Sequence, residues 1–142
     1  MNGNAELLNF VYQNAEMGVN TIKQILDIAE DGPLKERLRE QLTAYGDFQQ
    51  EARKLLNANG YDEKGISAFE RIKTYLMINM QTMTDVSQSH IAKMLILGST
   101  MGIIEGTQDL RKYEEQEKEI RKLLEKLVDF EEKNVEALKA FL

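Results

Sequence analysis

Four carboxylates lie nearest the predicted interior of the chain and have the clearest potential for chemistry: Glu16, Glu51, Glu105 and Asp109. Carboxylate oxygens are the ligands that hard metal ions prefer. Glu105 also follows the most apolar stretch, 91–104. An oxygen-only metal site built on Glu16, Glu51 and Glu105 is therefore one hypothesis. The simpler interpretation is that these residues ring the ends of the core in solvent and that the chain has no metal site.

Other ligands and nucleophiles are sparse. The chain has one histidine, His90, and no cysteine. The absence of cysteine excludes disulfides, zinc ribbons, iron–sulfur clusters and thiol catalysis. A lone histidine forms neither a convincing metal site nor a nucleophile–base pair, and the sequence has no glycine-rich phosphate loop or Ser/His/Asp set. We therefore predict no catalytic site and no bound cofactor.

The composition is that of one helical domain. Hydrophobic residues make up 42% of the 142 residues and charged residues 30%, with one proline and no tryptophan. The many Leu, Glu, Lys and Gln residues favour helix. A net charge of −6 argues against a nucleic-acid partner, because phosphate binding needs a basic surface. We expect no membrane span and no secretory signal, and hence a cytoplasmic protein.

Apolar residues recur at helical spacing along most of the chain, and no segment alternates as a strand would. The first two predicted helices cover roughly 4–30 and 33–59. They are separated by Asp31-Gly32-Pro33, in which glycine suits the end of one helix and proline the start of the next. Asn59-Gly60 ends the second helix.

The remaining chain predicts three more helices. Ser67 and Glu70 form a capping box, which marks the start of the third helix. A break near 85–89, where Ser87 or Ser89 provides an N-cap, precedes the fourth helix. An amphipathic fifth helix extends to the end of the chain.

A faint internal repeat relates the two halves of the sequence. Met17-Gly18-Val19 returns as Met101-Gly102-Ile103, and Asp47-Phe48 returns as Asp129-Phe130. The repeat predicts two related helical hairpins.

The repeat also predicts how the single domain, 1–142, is arranged. The hairpins would cover 4–60 and 88–142. The segment between them, 61–87, is long enough to cross the full length of the bundle, partly as a helix. The prediction is a four-helix bundle with one long crossover.

Two hairpins joined by a long crossover resemble the ferritin-like superfamily, and in particular its small bacterial members that lack the di-iron ligand motif. The resemblance covers essentially the whole chain and rests on helix order, helix length and the two repeated motifs. It implies an all-α, up-down-down-up four-helix bundle. Di-iron members contain Glu-x-x-His on two helices. This chain has no such motif, because Ser87 occupies the position three residues before His90.

Residue counts from the predicted turns put Gly18, Gly102, Phe48 and Phe130 at one level in the middle of the bundle. Two glycines facing two phenylalanines would pack well, since the missing side chains leave room for the rings. We therefore predict an apolar plug where a metal centre would otherwise lie.

Three glycines, Gly98, Gly102 and Gly106, share one face of the fourth helix. Each costs about 0.8–1 kcal/mol relative to alanine, so a structural gain should offset them. Close helix packing, with aromatic rings filling the groove, is the simpler explanation. A groove for a ligand or a partner helix is the alternative.

Methionines recur along the crossover helix at Met77, Met80 and Met83. Methionine fills irregular gaps in cores, and an adaptable surface for a partner is the alternative.

These observations favour a non-catalytic helical bundle that acts through self-association or partner binding, as a homodimer or larger oligomer. Its contact surface would be the methionine-rich crossover or the glycine-bearing helix. One alternative is a degenerate ferritin-like metal-binding or iron-handling protein, which needs at least three carboxylates at one level. Another is a carrier of a small apolar ligand, held in a cavity between the hairpins where glycines thin the wall.

Overall fold

A computed structural model describes residues 3–61, 63, 68–81 and 83–142. Within these ranges the secondary structure is entirely helical, which confirms the predicted all-α class. The five helices are α1 (Gly3–Ile28), α2 (Pro33–Ala58), α3 (Ala68–Gln81), α4 (Gln88–Lys112) and α5 (Lys118–Lys139). None of them is long and apolar enough to cross a membrane.

The first interhelical turn and the end of α2 form where the sequence predicts them. Gly32 has φ of 154°, within the region that favours glycine, and Pro33 is the first residue of α2. Gly60 follows the end of α2 and has φ of 70°. These two backbone conformations separate α2 sharply from the segments on either side.

The start of α4 uses one of the two predicted capping serines. Ser87 is the N-cap, and its hydroxyl accepts a hydrogen bond of 3.3 Å from the backbone N–H of His90. His90 therefore lies in the first turn of the helix, as expected. The capping box predicted at Ser67 lies outside the described residues.

The turn between α4 and α5 is closed by Arg121. Its guanidinium donates hydrogen bonds of 2.8 Å to the carbonyl of Leu110 and 2.7 Å to that of Tyr113. These carbonyls lie at the C-terminal end of α4, where a positive charge is favourable. Helix α5 starts at Lys118, because the preceding residues form this turn.

Helix α1 contacts every other helix of the described structure, most extensively α2. Leu8, Val11, Ala15, Ile22 and Ile25 form a stripe at helical spacing and are buried. The buried surface is wider than that stripe and also includes Leu7, Asn9, Phe10, Tyr12, Asn14 and Thr21. Helices α4 and α5 form a second extensive pair, and the shorter α3 lies against α4 and α1.

Contacts between helix ends show which segments are neighbours. The Asn4 side-chain oxygen accepts a hydrogen bond of 3.0 Å from the backbone N–H of Glu117, so the beginnings of α1 and α5 are adjacent. The Phe10 ring lies beside Gly106 near the end of α4. The Tyr75 hydroxyl of α3 donates to the Met94 carbonyl at 3.5 Å, near the beginning of α4.

The glycine face of α4 packs closely against its neighbours, as expected. A Cβ added to Gly98 would lie 3.1 Å from Leu76 of α3, and one added to Gly106 would lie 2.8 Å from Val128 of α5. At Gly102 the nearest atom is the Asn14 side-chain oxygen of α1, at 3.0 Å. Each of the three glycines thus allows a close approach between α4 and a different helix. An aromatic ring fills the space at one of these glycines, as predicted: the Phe10 ring would lie 3.4 Å from a Cβ added to Gly106.

We expect Gly102→Leu to lower the free energy of unfolding by about 1–3 kcal/mol, the usual cost of overpacking. The new side chain would have to displace Asn14. Gly46 is a matched control, because it lies within α2 and has no atom within 4 Å of an added Cβ. Gly46→Ala should be neutral or stabilising by up to about 1 kcal/mol. Urea unfolding measures both, and an unchanged midpoint for Gly102→Leu would contradict the packing described here.

Candidate functional site

The middle of the bundle contains a buried carboxylate. Glu131 of α5 is 3% exposed. Its Oε1 atom accepts a short hydrogen bond from the Tyr45 hydroxyl of α2, and Asn14 Nδ2 of α1 lies 3.5 Å from the same oxygen. The predicted apolar plug is therefore wrong: a polar cluster contributed by both hairpins occupies this level.

The two glycines expected at this level do make room for neighbouring side chains, but those side chains are polar. A Cβ added to Gly18 would lie 2.7 Å from the Tyr45 ring, and Gly102 faces Asn14 as described above. The missing Cβ atoms of both glycines therefore leave room for members of the polar cluster.

The two phenylalanines lie at the edge of the core. Phe48 and Phe130 are half-buried, with ring centroids 5.4 Å apart. Phe130 also packs edge-on against Tyr45 at 5.0 Å. Counting residues from the turns gives the level along the bundle but not the rotation of each helix. At the same level, the neighbouring residue Glu131 points inward where Phe130 was expected to.

Two further amides are buried around the carboxylate. Gln41 of α2 is 5% exposed and Asn134 of α5 is 6% exposed. Neither Gln41 Nε2 nor Asn134 Nδ2 has a partner in hydrogen-bonding geometry. Asn134 is nevertheless close enough to the Tyr45 hydroxyl to influence its ionisation. Buried donors without partners are unusual in native proteins and call for an explanation.

The electrostatics of the cluster follow from burial. Desolvation raises the pKa of the Glu131 carboxyl, and hydrogen bonding by Tyr45, Ser99 and Asn14 partly opposes this effect. Burial, together with the adjacent Glu131, raises the pKa of Tyr45 well above its ordinary value. Among the described side chains no Lys, Arg or His forms an ion pair with Glu131.

A small cavity of about 40 Å³ lies against the cluster. Its polar wall is contributed by α1, α2, α4 and α5, through Asn14, Thr21, Gln41, Tyr45, Ser99 and Glu131. Its remaining wall is formed by small or apolar residues: Met17, Gly18, Ile22, Leu76, Leu95 and Gly98. The cavity is polar enough and large enough to hold a few water-sized groups.

A larger groove of about 310 Å³ runs between α1 and α3. Met17, Leu76, Met77 and Met80 form its apolar part. Its polar part consists of amide, hydroxyl and charged side chains: Gln13, Glu16, Asn20, Thr21, Gln24, Lys73 and Gln81. Three residues, Met17, Thr21 and Leu76, line both the groove and the cavity. The two spaces therefore adjoin at these side chains.

The structure distributes the predicted carboxylates over three helices. Glu16 lines the groove, Glu51 is exposed on α2, and Glu105 is half-buried on α4. Among the described residues, no group of three Asp, Glu, His or Cys side chains could hold a metal. Burial, followed by Glu105 and Glu6, raises the pKa of Asp109 to about 6.

The donor set of the central cluster also differs from a di-iron site. Glu131 is its one carboxylate, and its other polar groups are hydroxyls and amides. Iron sites of ferritin-like proteins instead combine several carboxylates with imidazoles. The cluster is suited to hydrogen bonding with a small polar group.

Sequence reasoning missed Glu131, although a signal for it was present. The buried stripe of α5 follows helical spacing, and its members are Ile120, Leu124, Leu127, Glu131, Asn134 and Leu138. Two polar residues therefore interrupt an apolar stripe. A polar residue at a predicted core position requires a buried partner, and in the structure Tyr45 is that partner.

Comparisons with protein-family models, curated proteins and solved structures give no significant match to the chain. The geometry described above is therefore the basis for the functional proposals.

The raised pKa of Glu131 predicts a pH-dependent stability. Because the folded state holds this proton above the ordinary carboxyl value of 4.5, the free energy of unfolding should fall as pH rises through the interval between the two values. The loss is about 1.4 kcal/mol for each pH unit in which only the folded state binds the proton.

Glu131→Gln should remove this loss, so its stability relative to wild type should be greater at pH 8 than at pH 4. Urea unfolding at both pH values measures the difference. Glu132→Gln, at an exposed neighbouring position, is the control and should show a much smaller change. A wild-type-to-Glu131→Gln difference that is constant with pH would refute the assignment.

Proposed function

We propose that the protein is a non-catalytic cytoplasmic binding protein that takes up a small amphipathic molecule in the groove between α1 and α3. The observation that supports this function best is the adjoining pair of spaces, a groove of about 310 Å³ beside a polar cavity of about 40 Å³. Ligand sites commonly combine an apolar surface with a few converging polar groups.

The size and lining of the groove favour a small ligand. Pockets for small molecules usually occupy about 300–1,000 Å³, so this groove is at the lower end of the range. Met77 is 49% exposed at its margin, and Met80 is half-buried within it. Methionine side chains are unbranched and polarizable, which allows them to adapt to ligands of different shape.

In this proposal the methionine-rich crossover contacts a small ligand, whereas the sequence-based hypothesis assigned it to contact with a protein partner. Helix α3 forms one wall of the groove, and it packs against the bundle over a smaller area than the long helices do.

We also propose the ferritin-like, up-down-down-up topology for the four long helices. The adjacency of Asn4 and Glu117 supports a parallel α1–α5 pair. The contact between Phe10 and Gly106 supports an antiparallel α1–α4 pair. With short turns inside each hairpin, α2 and α4 would then run in the same direction, which requires a crossover along the bundle.

Methyl NMR of the methionines tests the proposed groove. Titration with hexan-1-ol should shift the methyl signals of Met17, Met77 and Met80, which line the groove, and should leave the buried Met94 unchanged. Asn20→Trp should abolish these shifts, because the exposed Asn20 lies on the groove wall.

Asn57→Trp is the matched control on an exposed part of α2 outside the groove and should leave the shifts intact. If neither hexan-1-ol nor six-carbon amphiphiles with other end groups shift the groove methionines, the proposed function is wrong.

A second candidate function is self-association through the outer face of α4. Leu97 is 45% exposed and Ile104, two turns further along the same face, is 52% exposed. Large apolar side chains exposed along one helix face are typical of contacts between subunits. This candidate corresponds to the homodimer or larger oligomer expected from the sequence.

If this face forms the contact, the wild-type protein should be a dimer or larger in light scattering. The double variant Leu97→Glu with Ile104→Glu should be monomeric, because four carboxylates would face each other across a twofold contact. The control variant Thr43→Glu with Gln50→Glu places the same charges on exposed positions of α2 and should keep the wild-type mass. A monomeric wild-type protein would eliminate this candidate.

A further inference from the structure

We infer that the 40 Å³ cavity is the inner end of the binding site and receives a hydroxyl group of the ligand, whose class is therefore a small amphipathic alcohol. This inference rests on the proposed binding function of the groove and adds the chemistry that selects the ligand. It follows from the donors, acceptors and dimensions of the cavity.

The donor is Gln41. Its side chain is 95% buried, it lines the cavity, and its Nε2 atom has no hydrogen-bond partner. A buried N–H without a partner loses its hydration and gains nothing in return. The occupant of the cavity must therefore offer this amide an acceptor.

The acceptor is Glu131. The Tyr45 hydroxyl and Asn14 Nδ2 both approach its Oε1 atom, and Ser99 also hydrogen-bonds to the carboxyl group. A carboxylate can accept about four hydrogen bonds, so Glu131 retains the capacity to accept another. An occupant that also donates a hydrogen bond would use this capacity.

A neutral hydroxyl can pair with both groups, since it accepts through its oxygen and donates its proton. An ammonium group has donors only, so it would leave the Gln41 amide unpaired. A ligand carboxylate would be repelled by Glu131. An ether oxygen accepts but does not donate, so it would satisfy Gln41 alone.

The dimensions place the rest of the ligand in the groove. A volume of about 40 Å³ accommodates at most a few water-sized groups, because a single water needs about 10–15 Å³ of such space. A ring or a chain would have to remain outside, in the groove of about 310 Å³. The two spaces adjoin at Met17, Thr21 and Leu76, and rotation of the flexible Met17 side chain would connect them.

A series of six-carbon probes tests the inference with the whole protein. Hexan-1-ol, its isomer 1-methoxypentane, hexylamine and hexanoate differ mainly in the group that would enter the cavity. The Met17 methyl signal reports on each, since Met17 lines both spaces. We expect hexan-1-ol to bind at least about tenfold more tightly than each of the others, because only the hydroxyl pairs both Gln41 and Glu131.

Gln41→Met should reduce the preference for the alcohol over its ether isomer to less than about threefold, since the amide donor and acceptor are lost at similar volume. Gln108→Met is the control at an exposed position of α4 outside both spaces and should retain the wild-type preference. Circular dichroism confirms that each variant is folded. The comparison of the four probes on the wild-type protein tests the inference even if a variant does not fold.

The outcomes separate the two proposals. Equal affinity for the alcohol and the ether, with shifts in Met77 and Met80, would mean that the groove binds ligands and a water alone occupies the cavity; this overturns the inference only. Tighter binding of hexylamine would also overturn it, since the cavity would then select a cation. The absence of any methionine shift would overturn the binding function itself.

Discussion

The hydrogen bond from Tyr45 to Glu131 is the constraint on which the rest of the bundle depends. It joins α2 of the first hairpin to α5 of the second, and Asn14 of α1 approaches the same carboxylate oxygen. A buried carboxylate without a basic partner is unfavourable, and losing one of its donors makes it more so. The first hairpin can donate these hydrogen bonds to Glu131 only at one height along the second hairpin and one rotation relative to it. The cluster therefore sets their alignment at a cost in stability.

This constraint also accounts for glycine within two helices. The Tyr45 ring reaches Glu131 by passing over Gly18, where a Cβ would lie 2.7 Å away, and Asn14 fits against Gly102. Glycine in a helix is unfavourable by about 1 kcal/mol relative to alanine. The glycines at these two positions are explained by the polar side chains for which they leave room. The repeated Met-Gly motif of the sequence thus corresponds to the two positions where the hairpins hold the central cluster.

The helices could be predicted from local signals, and the central site could not. Gly32, Gly60 and Ser87 mark helix ends through backbone conformation or capping, which depend on few neighbours. The site depends on how each helix rotates about its axis, and counting from the turns does not give that angle. Phe130 was therefore placed where Glu131 lies. The polar pair Glu131 and Asn134 on the α5 stripe was the sequence signal for this site, because their apolar neighbours at helical spacing put both residues in the core.

A polar cluster whose purpose was only to align the hairpins would be expected to be complete. A polar network with unpaired members is less favourable than apolar packing. Such unfavourable arrangements in native proteins occur mainly at functional sites. Here two buried amides, Gln41 and Asn134, lack a partner, and that of Gln41 faces a cavity that adjoins a ligand-sized groove. The same side chains that fix the alignment of the helices thus leave one donor and one acceptor available at the end of the groove. Alignment and recognition would then depend on a single carboxylate, which would account for an ionisable residue at a buried position in the core.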